Sequence, residues 1–141
     1  MTTTRTRVLI LCTGNSARSQ MAEGLLRARG GDRFEVYSAG SRPAAQVHPG
    51  AVQAMAEIGL DISSQRPKPL SQFLGQEFDY VLTVCNNAAE TCPFFPGRAE
   101  RYHRDFTDPP AVPPEQQAAT FRRVRDELAV WLDELFFATG R

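Results

Sequence analysis

The 141-residue chain is poor in cysteine and histidine, with only Cys12, Cys85 and Cys92 among the first and His48 and His103 among the second. An odd, small set of thiols argues against a framework of structural disulfides and favours reactive ones. Net charge is also missing, because sixteen basic residues are matched by sixteen acidic ones. No positive field therefore points to nucleic acid or a membrane surface. No apolar run approaches the ~20 residues of a membrane span, and the one behind the polar stretch Met1 to Arg7 is too short for a signal peptide. The expectation is a soluble, cytoplasmic protein. A hydrophobic content of 42% suits one globular domain over residues 1–141, with no internal repeat or linker.

What the chain does have is a pattern of strands alternating with helices. Val8 to Leu11 reads as a short buried strand, and Phe34 to Ala39 alternates like a second. Asp79 to Val84 is a third strand, and Ala99 to Tyr102 a brief fourth. Between the first two, Met21, Ala22, Leu25 and Leu26 have helical spacing, ended by Gly30-Gly31-Asp32. Pro49 opens another helix, with Ala51, Val52, Met55 and Ile58 on its apolar face and Gly59 at its end. His48, just before it, reads as a surface residue near a helix start. Leu70 to Phe73 forms a short helix, and Pro114 opens the last one. There Phe121, Val124, Leu128, Trp131, Leu132 and Leu135 make a core-facing stripe. The alternation predicts an α/β layer with a mostly parallel sheet, whose ligands gather beyond the carboxyl ends of the strands. Cys12 and Cys85 each follow such an end, and Asp108 follows the fourth.

The most informative stretch joins the first strand to the first helix: Cys12-Thr13-Gly14-Asn15-Ser16-Ala17-Arg18-Ser19. Gly14 and Asn15 tolerate left-handed backbone angles, so the turn can curl its amides toward one point. The following helix adds its free N–H groups and positive dipole end. Arg18 brings a planar fork suited to two oxygens of a phosphate-like anion, and Ser16 and Ser19 offer hydroxyls. A thiol near a helix N-terminus and a cation is favoured as thiolate, the nucleophilic form. Residues Thr13 to Ser19 thus predict a seat for a tetrahedral oxyanion, with the Cys12 sulfur at its base.

This run, together with Val36-Tyr37-Ser38-Ala39-Gly40, Asp61-Ile62-Ser63, Cys85 with Cys92, and Asp108-Pro109, resembles the thioredoxin-coupled arsenate reductases. These share the low-molecular-weight tyrosine phosphatase fold. The resemblance runs from about Val8 to the last helix. It implies a four-stranded parallel sheet flanked by helices, and reduction of arsenate to arsenite. In the implied relay Cys12 attacks arsenate held by the loop and Arg18, while Asp108 protonates the departing oxygen. Cys85 then attacks the Cys12 sulfur, and Cys92 attacks Cys85, leaving a Cys85–Cys92 disulfide for thioredoxin. The segment Asn86 to Glu90 has no large apolar anchor, which suits a region that rearranges. Neither metal nor cofactor is expected, and the chain is expected to be a monomer. A zinc site from the cysteines and His103 is disfavoured by the six residues between Cys85 and Cys92, more than the usual ligand-pair spacing.

Two departures from the resemblance stand out. Some relatives hold a potassium ion at positions that correspond to Asn15, Glu23 and Ser38 and a further acidic residue, where this chain has Lys68. Ala17 falls where many relatives carry another cysteine. The rival enzyme reading is a low-molecular-weight protein tyrosine phosphatase. Against it, Gln20 replaces the proline usual after that family's Arg-Ser, and Pro110 stands in place of tyrosine after Asp108-Pro109. A non-catalytic oxyanion-binding redox module is the other rival. Asp105 competes with Asp108 as the acid.

Overall fold

A computed structural model describes residues 5–86 and 90–137. Four parallel strands form one sheet in the order β2-β1-β3-β4: β1 Thr6–Cys12, β2 Phe34–Gly40, β3 Tyr80–Thr83 and β4 Glu100–His103. Three helices connect or follow them, α1 Arg18–Gly30, α2 Pro49–Ala56 and α3 Pro114–Phe136. Short 3-10 turns lie at Gly31–Arg33, Leu70–Phe73 and Pro109–Ala111. The expected parallel four-stranded sheet flanked by helices is what the chain forms.

β1 lies between two neighbours, and Val8 to Leu11 are fully buried, which is why it reads as a continuous apolar run. Its side chains still alternate between two cores. Val8, Ile10 and Cys12 join the helical side, with Met21, Met55, Phe121 and Leu128. Leu9 and Leu11 join Phe73, Phe78, Val81 and Phe95 on the other. That alternation decides the function of the thiol, because it turns Cys12 toward the start of α1. Each fully buried Leu, Ile or Phe contributes roughly 1.5–3 kcal/mol, so the strand that carries Cys12 is firmly held.

α2 is shorter than its sequence pattern. It stops at Ala56, its buried face is Ala51, Ala54 and Met55, and Ile58 is 44% exposed. A turn takes over, with the Gly59 N–H donating to the Ala56 carbonyl and Gly59 at φ +82°, the left-handed C-terminal stop that glycine allows. His48 caps this helix: its Nδ1 accepts from the Gly50 N–H at 2.9 Å, and its ring packs 5.0 Å from that of Phe121.

Candidate active site

The loop between β1 and α1 is shaped by what its carbonyls do. The Thr13 carbonyl accepts from the Arg42 N–H, Gly14 from Ala44 and Ser16 from His48, each at 2.9 Å. The Asn15 carbonyl accepts from Gln20 Nε2 at 3.0 Å. In a trans peptide the carbonyl and the next N–H point opposite ways. Four carbonyls held outward therefore turn the amides of Gly14, Asn15, Ser16 and Ala17 inward, around the Cys12 sulfur. The Asn15 N–H reaches Sγ at 3.2 Å. α1 starts without a side-chain cap, so its first-turn amides add to the same positive cradle.

Among the described residues outside glycine, Asn15 alone has a positive φ, at 50°, and Gly14 is not left-handed. The curl is made at Asn15, whose side chain then does more than tolerate the angle. Its Nδ2 donates to Ser19 Oγ at 2.8 Å and to Ser38 Oγ at 3.0 Å, and its Oδ1 accepts from the Lys68 N–H at 2.8 Å. Gly40 matters for closeness instead, since a Cβ there would collide with the Thr13 carbonyl oxygen. With Asn15 occupying a lone pair of Ser19 Oγ, the Ser19 hydrogen is free to point at Cys12 Sγ, 2.9 Å away.

Arg18 is 2% exposed, and its guanidinium lies beside the loop. Nη1 donates to Glu90 Oε2 at 2.5 Å and to the Phe106 carbonyl at 3.2 Å, and Nη2 donates to Glu90 Oε1 at 3.0 Å. Asp108 Oδ1 stands 3.6 Å from Nη2. Burial alone would lower the arginine's pKa, but Glu90, Cys12 and Asp108 outweigh it and raise it. Arg18 Nε is buried with no hydrogen-bond partner among the described residues. Burial raises the Asp108 pKa, with Glu90 adding and Arg18 and His48 opposing, so its proton is kept to higher pH than a free carboxyl keeps it. Asp105 instead pairs with His103 Nε2 at 2.6 Å on the exposed β4 edge.

Cys85 and Cys92 are bonded to each other, with Cα atoms 5.9 Å apart, inside the usual span for a disulfide. Cys85 is fully buried in the same core cluster as Cys12, and Cys92 is half-buried against it. Cys12 is free. The sheet therefore brings the five expected residues to one edge: a free thiol in an anion cradle, a guanidinium, a carboxyl and a closed pair of thiols. The sequence reading missed Glu90 and Gln20. Gln20 is fully buried and ties the loop to the Arg66 carbonyl at 2.9 Å. Its signal in the sequence was its place directly after Arg18-Ser19, where the phosphatases have proline.

The pattern of low molecular weight phosphotyrosine protein phosphatases matches residues 7–139. The chain belongs to that family. Within and around this family it is similar to proteins of two activities. An arsenate reductase of Halalkalibacterium halodurans is 47% identical over 136 residues, 95% of this chain and 96% of that protein. The structure of a thioredoxin-dependent arsenate reductase of Corynebacterium glutamicum superimposes with a TM-score of 0.72 at 30% identity, over 96% of this chain and 62% of that one. A low molecular weight protein tyrosine phosphatase of T. tengcongensis gives 0.75 at 28% identity, over 92% and 97%. This phosphatase-family fold thus carries either chemistry, and the residues around the loop must separate them.

The potassium position of some members does not fit this one. Glu23 is buried and already accepts from Ser38 Oγ at 2.6 Å and pairs with Arg27 Nη2 at 2.8 Å. Lys68 Nζ stands 4.0 Å from its Oε1, so an ammonium supplies the positive charge beside the loop.

Proposed function

We propose that this chain reduces arsenate to arsenite through a three-thiol relay recycled by thioredoxin. The observation that carries the reading is the closed Cys85–Cys92 pair beside a free Cys12 seated in the anion loop. A phosphatase needs one cysteine and water; two further thiols at the same edge have no part in ester hydrolysis. The curated relatives named arsenate reductase, at 47% and 43% identity, support the same chemistry.

In the proposed mechanism the amides of the loop and Arg18 bind arsenate, the phosphate-shaped anion. The Cys12 thiolate forms a sulfur–arsenic bond as Asp108 gives its proton to a departing oxygen, which leaves as water. The Cys85 thiolate then attacks the Cys12 sulfur. The sulfur–arsenic pair of electrons goes to arsenic, which departs as arsenite, and Cys12–Cys85 is oxidised to a disulfide. Cys92 attacks Cys85, returns Cys12 as thiolate and closes Cys85–Cys92. Thioredoxin's dithiol reduces that bond and becomes a disulfide itself. The roles of Thr13 to Ser19 and of the three cysteines, one catalytic domain over residues 1–141, monomeric action and a cytoplasmic setting all belong to this proposal. The absence, among the described residues, of a helix long and apolar enough to cross a membrane is compatible with it.

The test is arsenate-dependent NADPH consumption with thioredoxin and its reductase. Sustained consumption with stoichiometric arsenite is expected. Hydrolysis of an aryl phosphate without arsenite release would assign the chain to the phosphatases, and oxyanion binding with neither turnover to the non-catalytic reading.

A further inference from the structure

Glu90 holds the Nη1/Nη2 end of the Arg18 guanidinium, the cation beside the anion loop, and leaves Nε without a partner among the described residues. Both of its oxygens are engaged: Oε1 accepts from Arg18 Nη2 at 3.0 Å and Thr13 Oγ1 at 2.6 Å, and Oε2 from Arg18 Nη1 at 2.5 Å and the Asn86 N–H at 2.9 Å. Two parallel N–H donors on one carboxylate is the bidentate mode by which a guanidinium also grips phosphate. The Glu90 side chain is 17% exposed. Burial would raise its pKa, but the bonds from Arg18, Thr13 and the Asn86 amide lower it to about 2, leaving it charged throughout the neutral range.

The placement of Glu90 in the chain ties this contact to the redox state. It lies inside the loop closed by the Cys85–Cys92 bond, two residues from Cys92. We propose that Glu90 is an internal ligand of the oxyanion clamp, set on Arg18 when Cys85–Cys92 closes and released when it opens. On the relay reading above, which this inference rests on, the carboxylate weakens the clamp's hold on the anion once the exit disulfide has formed. It also keeps a new oxyanion out until the reductant has acted. An oxyanion in the loop and the charged Glu90 carboxylate repel each other across the same guanidinium, so each weakens the other's hold on it. Opening the disulfide removes a covalent tie two residues from Glu90, and the entropic cost of holding the carboxylate in place then rises.

Coupling of this kind is reciprocal: what weakens anion binding in the disulfide state must make a bound anion favour the dithiol state. The probe is inorganic phosphate, which binds without being reduced. Its Kd is measured by calorimetry on the wild type and on Glu90→Gln and Glu90→Asp, each with Cys85–Cys92 closed or reduced. The closed wild type should bind phosphate at least tenfold more weakly than the reduced protein. In Glu90→Gln, which keeps the shape but not the charge, the two states should bind alike. Glu90→Asp, a carboxylate one methylene shorter, should fall between.

Reduction potentials give an independent readout. Saturating phosphate should raise the potential of the Cys85–Cys92 couple in the wild type, by about 30 mV for each tenfold of coupling, and leave that of Glu90→Gln unmoved. Equal phosphate affinity in both states of the wild type, or a gap that persists in Glu90→Gln, would overturn the proposal. Neither measurement involves arsenate, so its outcome is separate from that of the NADPH assay. A chain that reduces arsenate but shows no coupling loses the internal ligand alone.

Discussion

Cys12 Sγ and Ser19 Oγ lie 2.9 Å apart, joining the last residue of β1 to the first turn of α1. Asn15 Nδ2 donates to that hydroxyl, and toward a Cys12 thiolate, which has no hydrogen to give, the hydroxyl is the donor. Ser19→Ala should then slow the attack of Cys12 on arsenate by roughly 100-fold, the effect of losing one donor aimed at developing charge. Iodoacetamide labelling of Cys12 at neutral pH, with phosphate as protectant, reads the same loss without turnover. An unchanged labelling rate would mean that the hydroxyl only fills space.

In the proposed relay, Asp108 sets the pH dependence of the first step. Its pKa is raised, mainly by burial, and the general acid is the protonated form. The step should be fastest below that raised value and decline as pH rises through it, a limb displaced upward from the ordinary carboxyl range of ~3.9. Asp108→Asn should abolish this limb and lower the rate about 10²–10⁴-fold, the usual contribution of a positioned acid. Pre-steady-state rates of arsenite release across pH check both. A limb that survives in Asp108→Asn would transfer the role to another acid.

The parts of this site that the sequence made legible are those in which chemistry follows local order. A buried strand, a thiol, a small-residue turn and a helix start sit within twelve residues, from Val8 to Ser19, and their order predicts an anion seat at Cys12. Glu90 was not legible, because its partner Arg18 is 72 residues away, and a carboxylate in a polar loop has no periodicity to mark it. β4 was visible only as a brief strand for a related reason. All four of its residues are exposed, so no buried face produces alternation, and its pairing with β3 is what makes it a strand. Ile58 misled in the opposite direction: it has helical spacing from Met55, but the turn ending at Gly59 swings it into solvent.

Lys68 makes a prediction about salts. It is the only lysine of the chain, and its ammonium donates to the Arg66 carbonyl at 2.8 Å while facing Glu23. Burial lowers its pKa, with Glu23 opposing and Arg27 adding. A fixed cation at this position leaves potassium nothing to neutralise. Turnover in sodium chloride and in potassium chloride at equal ionic strength should agree within about twofold, since exposed-charge screening depends on ionic strength and not on which ion supplies it. A several-fold preference for potassium would show that Lys68 does not serve as the local charge.

The relay itself predicts different failures for the two outer thiols. Cys85 is fully buried in the cluster that holds Cys12, whereas Cys92 is half-buried at its margin, so Cys85 is the thiol placed to reach inward. It must bond Cys12 first and Cys92 second, so Cys85 needs two alternative partners. Cys92→Ser should therefore still release about one arsenite per enzyme and then stall as the Cys12–Cys85 disulfide, because the exit step has lost its nucleophile. Cys85→Ser should release none, since no thiolate is in place to attack the Cys12 sulfur, yet slow hydrolysis of an aryl phosphate at Cys12 should survive. Mass spectrometry of acid-quenched single turnovers identifies which pair is joined. If Cys92→Ser turns over repeatedly with thioredoxin at the wild-type rate, the reductant takes its electrons directly to Cys12–Cys85, and the third thiol is not part of the path.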